Sequence, residues 1–200
     1  MALLIKKFGG TSVGDSTKIK VIAQNILQVK EAGNEIVVVV SAMGHSTDHL
    51  NKLAESISKN PNRRELDMLL STGEQVTMAL LSMSLNEYGI PAISLTGSQV
   101  GIVTESIHGK ARILDIKTER IQNYIDQGYV VVVAGFQGST LSHTGSIEIT
   151  TLGRGGSDTS AVALSTALGA ETCEIYTDVP GVLTTDPRIV PNAKLLDIIS

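Results

Sequence analysis

Short β-branched runs alternating with stretches of helical spacing set the rhythm of this chain. Residues 36–40 and 130–134 are apolar at every position, where a strand with one solvated face would alternate. They read as strands buried on both faces of a parallel sheet. Residues 3–8, 92–95 and 174–176 read as further strands. Between them Ile19, Ile22, Ile26 and Val29 fall on one helical face, and 66–85 is apolar over much of its length, as an interior helix would be. Residues 113–125 form an amphipathic pattern that stops before Gly128, and 159–168 stops at Gly169, both sensible helix ends. Residues 136–156 break the rhythm. They are rich in Gly, Ser and Thr, contain an alternating piece at 146–151, and predict a hairpin with loops over the sheet. The whole pattern predicts an α/β fold, a three-layer α/β/α sandwich around a mainly parallel central sheet, within one domain over 1–200.

In open α/β sheets ligands gather beyond the carboxyl ends of the strands, and polar loops follow these strands. Lys7-Phe8-Gly9-Gly10-Thr11-Ser12 ends the first, Ser41-Ala42-Met43-Gly44 follows the second, Gly135-Phe136-Gln137-Gly138 follows 130–134, and Thr177-Asp178 follows the last. The first loop can hold a polyphosphate, because glycines let backbone N–H groups approach oxygens and the lysine adds a fixed charge. It equally suits a tight turn in which Thr11 or Ser12 caps a helix from about Thr17. Gly9-Gly10-x-x-x-Gly14 does not fit G-x-G-x-x-G, and no G-x-x-x-x-G-K-[ST] occurs.

Composition narrows the function classes. A hydrophobic fraction of 42% over 200 residues suits a globular chain that buries roughly 70% of its unfolded surface. The net charge of −4, with lysines and arginines scattered, argues against a nucleic-acid surface. Cys173 is the single cysteine, which gives no disulfide framework or thiolate cluster and suits a reducing compartment. His45, His49, His108 and His143 form no zinc pattern and read as solvated loop and helix residues; no metal site of the protein's own is expected. No apolar run approaches the ~20 residues of a membrane span, and the start lacks the pattern of a signal peptide. The cytoplasm is the expected location.

Three further stretches carry chemistry. Gly153-Arg154-Gly155-Gly156-Ser157-Asp158 precedes a predicted helix and puts an anion fork, backbone donors and a carboxylate at its start. Alternatively Ser157 or Asp158 caps that helix and Arg154 is a surface charge. Ser71-Thr72-Gly73-Glu74 is either an S-x-x-E capping box or places Glu74 in an apolar segment. There an unpaired carboxylate would cost several kcal/mol and a ligand ammonium could be its partner. The loop from Thr177 through Asp186-Pro187-Arg188 is punctuated by Pro and Gly; turn chemistry explains these, while Asp178 and Arg188 would also suit a nucleotide rim.

These motifs in this order, with Thr47 after Gly44, resemble the aspartate kinase family within the amino-acid kinase fold, from one end of the chain to the other. The resemblance implies transfer of the ATP γ-phosphoryl group to the side-chain carboxylate of L-aspartate. The product would be 4-phospho-L-aspartate, for lysine, threonine and methionine biosynthesis. It implies Lys7 and Asp158 as catalytic groups, Lys7 neutralising the transferring oxygens with help from the Gly9 and Gly10 N–H groups. It implies Arg154 on the aspartate α-carboxylate, Glu74 on its ammonium, and Ser41, Thr47 and Ser157 as orienting groups. The nucleotide would meet Lys7, Phe8, Gly9, Gly10, Ser12, Thr177, Asp178, Leu183 and Arg188, with Mg²⁺ held mainly by the nucleotide.

Two departures qualify the resemblance. Family members often carry an aromatic residue against the adenine where this chain has Leu183. The chain also stops at Ser200, before the family's further kinase segments and its regulatory ACT modules. It therefore reads as the N-terminal part of a catalytic domain, with weak or absent activity alone and a homo-oligomeric full-length parent. Another small-acid kinase of the same fold, or a non-catalytic fragment that binds aspartate or nucleotide, are the competing readings.

Overall fold

The computed structural model describes residues 2–142, 144–179, 181–186 and 189–198. Five parallel strands form the central sheet: β1 (Leu3–Phe8), β2 (Glu35–Val40), β3 (Ala92–Leu95), β6 (Val130–Ala134) and β9 (Thr172–Tyr176), in the order β3-β6-β2-β1-β9. Every residue from Ile36 to Val40 and from Val130 to Ala134 is fully buried, as their unbroken apolar runs require. Helices α1 (Ser16–Glu31) and α4 (Thr72–Glu87) cover one face, where Ile22, Ile26 and Leu81 pack on Val38 and Val132. Helices α5 (Glu119–Asp126) and α6 (Gly156–Leu168) cover the other, where Ile121 and Leu164 pack on Val37 and Val131. The sandwich is thus three layers deep.

A second, four-stranded sheet, in the order β5-β4-β7-β8, is built from β4 (Ile102–Thr104), β5 (Ile113–Ile116), β7 (Gln137–Leu141) and β8 (Ile147–Thr151). The expected hairpin is its antiparallel β7–β8 pair. The pattern at 113–125, expected to be one helix, divides instead. Ile113 and Ile116 pair with β4 and pack on the core while Leu114 faces out, and the helix begins only at Glu119.

The expected interior helix at 66–85 also divides, into α3 (Arg63–Leu70) and α4, with Ser71 at the joint. The Gln137 amide donates to the Ser71 carbonyl at 2.9 Å, tying the joint to β7. Helix α2 (Ser46–Ile57) has no buried residue and lies outside the expected elements, although Leu50, Leu53, Ala54 and Ile57 stand at helical spacing. Asp15 caps α1, accepting from the Lys18 N–H at 2.9 Å, so neither Thr11 nor Ser12 does. Among the described residues no helix is long and apolar enough to cross a membrane. His108 is not solvated: its ring is largely buried between Asp67 and Glu148. His143 lies outside the described residues.

Candidate active site

At the carboxyl edge of the central sheet, separate stretches of chain enclose a cleft of about 280 Å³. Lys7 comes from the end of β1, Ser41 from the loop after β2, Thr47 from the first turn of α2 and Glu74 from that of α4. Arg154 comes from the loop before α6, and Ser157 and Asp158 from its first turn. Strand alternation decides which β1 side chains take part. Ile5 packs among the α5 and α6 contacts and Phe8 among those of α1 and α4. Lys7 therefore shares the face of Ile5 and reaches the cleft.

The chain can draw this tight only where glycine stands. A Cβ on Gly10 would lie 2.9 Å from the Ala42 carbonyl oxygen, and one on Gly135 would lie 2.8 Å from Ser157 Cβ. The contact at Gly10 is fixed by a hydrogen bond from the Gly44 N–H to the Gly10 carbonyl at 2.9 Å. The α6 N-terminus is set by Gly155 in the left-handed region, with no side-chain cap. Ser157 and Asp158 are therefore not capping groups; they are free for the cleft, which also receives the positive end of the helix.

Charge in the cleft is arranged in two parts. The buried Lys7 ammonium lies 2.6 Å from Asp158 Oδ1, and the Asp158 side chain is 45% exposed. Across the cleft Glu74 is only 3% exposed. Its Oε1 accepts from the Ala42 N–H at 3.2 Å, while the buried Oε2 has no partner among the described residues. Burial pushes its carboxyl up to about 7, against the smaller opposing pull of backbone hydrogen bonds from Glu74 itself and Ala42. The capping-box reading of Ser71 and Glu74 falls away. Ser71 makes no cap bond and its hydroxyl donates to the Met68 carbonyl. Arg154 is exposed on the cleft rim.

Several expected nucleotide contacts lie elsewhere. The Gly9 N–H is spent on the Tyr176 carbonyl at 3.0 Å, so it cannot serve a phosphate; the Gly10 N–H has no acceptor among the described residues. The Phe8 side chain is buried on the opposite face of the sheet, stacked on Tyr176 with ring centroids 4.7 Å apart. Ser12 lines a separate hollow there with Phe8 and Lys6. Thr177 and Asp178 are exposed just past β9, joined by a 3.2 Å hydrogen bond. Leu183 pairs with Leu195 further out. Neither Thr177, Asp178 nor Leu183 lines the cleft, and Arg188 lies outside the described residues.

Phe136, in the Gly135-Phe136-Gln137-Gly138 loop expected at this edge, forms part of the cleft wall. It is the one non-glycine residue with positive φ (66°) among the described residues, a conformation that costs on the order of 1–3 kcal/mol. Its N–H donates to Ser160 Oγ at 3.1 Å and its carbonyl accepts from Leu152 at 2.8 Å. These bonds tie the end of β6 to both sides of the Gly153–Gly156 loop. Sequence reasoning missed the left-handed backbone of Phe136, which no neighbouring residue signals.

The amino acid kinase family model matches residues 2–200, and the chain belongs to that family. It is 58% identical over 200 residues to an aspartokinase of Geobacillus stearothermophilus, covering all of this chain and 48% of that protein. Among solved structures, the aspartate kinase from Synechocystis superposes with a TM-score of 0.81 at 61% identity, over 98% of this chain and 32% of that one. Aspartokinase III of E. coli in complex with aspartate and ADP does so with a TM-score of 0.81 at 28% identity, over 98% of this chain and 53% of that one. The chain spans about half the length of the curated relatives it matches.

Proposed function

We propose that this chain carries the amino-acid acceptor site of an ATP-dependent aspartate kinase, as the N-terminal part of its catalytic domain. The reading rests above all on Glu74. A buried carboxylate with one unbonded oxygen is costly unless a cation completes it, and the cleft it faces also holds Arg154. An L-α-amino acid supplies both complements, an ammonium for Glu74 and a carboxylate for the Arg154 fork. The aspartate side-chain carboxylate is then left to point toward Lys7. The high identity to proteins named aspartokinase supports aspartate over other small acids.

In this reading ATP lies beyond Lys7, and one side-chain oxygen of aspartate attacks the γ-phosphorus. The bond from that phosphorus to the β,γ-bridging oxygen breaks, giving 4-phospho-L-aspartate and ADP. Such a transfer asks for position and charge rather than covalent help. Lys7 neutralises the oxygens of the moving group, Asp158 holds its ammonium in place, and the Gly10 N–H and the α6 N-terminus add fixed positive poles. Ser41, Thr47 and Ser157 orient the acceptor. No group of three metal-ligating side chains occurs among the described residues. Mg²⁺ would be held mainly by the nucleotide, with the half-exposed Asp158 carboxylate available to it, and would supply charge neutralisation. The activity belongs with lysine, threonine and methionine biosynthesis in the cytoplasm.

Calorimetric titration with L-aspartate tests the reading. The chain should bind L-aspartate, and Arg154→Ala and Glu74→Gln should each weaken binding at least about 10-fold, as loss of a charge-assisted contact does. Succinate, which lacks the ammonium, should be insensitive to Glu74→Gln. Wild-type affinity retained in both variants would overturn it.

A further inference from the structure

Asp67 is buried to 1% exposure and lies outside the cleft, yet it is the most heavily bonded side chain near it. Oδ1 accepts from the Gly109 N–H at 3.1 Å and the Thr151 hydroxyl at 2.6 Å. Oδ2 accepts from the Gly109 N–H at 3.0 Å and the Thr151 N–H at 3.2 Å, and lies 2.8 Å from His108 Nδ1. A buried carboxylate satisfied in this way rigidifies whatever supplies its donors. The donors here come from the β4–β5 connection and from the last residue of β8.

We propose that Asp67 is a positioning residue that sets the separation between the two ends of the amino-acid clamp, Glu74 and Arg154. Asp67 lies on α3, which joins through Ser71 to the helix bearing Glu74. Thr151, which Asp67 holds, stands three residues before Arg154. The intervening chain has no slack. The Thr151 carbonyl accepts from Ala111, the Leu152 N–H donates to Phe136, and a Cβ on Gly153 would lie 3.3 Å from the Gly109 carbonyl oxygen. Asp67 thus bolts the Glu74 element directly to the root of the Arg154 loop. An acceptor site that grips both ends of a zwitterion needs that distance held to a fraction of an ångström.

The proposal rests on the aspartate-site reading, and two readouts keep the two apart. Hydrogen exchange of peptides covering 152–156 should accelerate at least 10-fold in Asp67→Asn and in Thr151→Val. It should stay within 2-fold of wild type in Thr151→Ser, which keeps the hydroxyl, and peptides in β1 and β2 should be unchanged in all three. By calorimetry, L-aspartate should bind at least 5-fold more weakly to Asp67→Asn and Thr151→Val, with Thr151→Ser restored. If Asp67→Asn does not fold, the Thr151 pair decides the matter alone. A folded Thr151→Val with wild-type exchange at 152–156 overturns the positioning role, as does unchanged aspartate affinity in a chain that binds aspartate. A wild-type chain that fails to bind aspartate while the variants still loosen 152–156 overturns the aspartate reading and leaves the bolt standing.

Discussion

The Lys7 ammonium and the Asp158 carboxylate meet at 2.6 Å, one at the end of the first strand and the other in the first turn of the last helix. Neither is a neighbour of the other in sequence. The parallel sheet makes them neighbours, because β1 ends and α6 begins on the same edge. The pair fixes the one buried cation of the cleft at the mouth of a helix whose own N-terminus is positive. Removing Asp158 leaves that cation uncompensated. Since Asp158 is nearly half exposed, the cost is well below that of a fully buried pair. Asp158→Ala should lose about 1–2 kcal/mol of stability in urea unfolding, while aspartate binding, held by Glu74 and Arg154, should change little.

Glu74 gives stability a distinctive pH dependence. Burial pushes its carboxyl in the folded chain up to about 7 from the ordinary 4.5, so the native state binds more protons than the unfolded state between these values. Its contribution is fully present below 4.5 and is lost as pH rises to about 7, an effect of about 3 kcal/mol. Glu74→Gln should therefore be more stable than wild type at pH 8, with the advantage fading toward pH 4.5. Denaturation at pH 5, 6, 7 and 8 measures the difference; an advantage independent of pH would contradict it.

Gly135 is required by contact, not by conformation. A methyl group there would lie 2.8 Å from Ser157 Cβ and 3.0 Å from its Cα, and backbone cannot swing away as a side-chain tip can. Gly135→Ala should push the α6 N-terminus outward. A loss of about 1–3 kcal/mol is expected in unfolding experiments, together with weakened aspartate binding. A crystal structure of the variant with α6 unmoved would contradict this.

The isolated chain should bind aspartate better than it turns over. Thr177, Asp178 and Leu183, expected at the nucleotide, are outside the cleft, while Lys7, Glu74 and Arg154 converge in it. Coupled measurement of ADP release should therefore give weak or absent turnover. Robust turnover would show that the described cleft suffices for the nucleotide.

The central sheet was legible because two of its inner strands, residues 36–40 and 130–134, carry no polar residue, whereas β1 buries Lys6 and Lys7 near its end. Helix α2 went unread although Leu50, Leu53, Ala54 and Ile57 stand at helical spacing, because that stripe is short and stays half-buried or exposed. The breaks inside 66–85 and 113–125 were hidden for a different reason. Gln137 bonds the joint at Ser71 from 66 residues away, and residues 113–116 pair with β4, a strand the sequence pattern did not show. Among site residues, those held at loop ends beside glycines (Lys7, Ser41, Arg154, Ser157, Asp158) were visible from their neighbours. The side of the sheet to which Phe8 points was implicit in strand alternation, once Lys7 is set in the cleft. The left-handed backbone of Phe136 and the role of Asp67 were out of reach, as both depend on partners brought by the fold.

The claim on which the rest depends is that the unbonded oxygen of Glu74 receives an ammonium. An arriving cation favours the charged carboxylate and lowers its pKa, so binding near pH 7 must expel a proton. Calorimetry of L-aspartate binding at pH 7, repeated in buffers of different ionisation enthalpy, counts it. About half a proton should leave per aspartate bound in the wild-type chain and none in Glu74→Gln. Heats that do not depend on the buffer, or the same release from both proteins, would contradict the account.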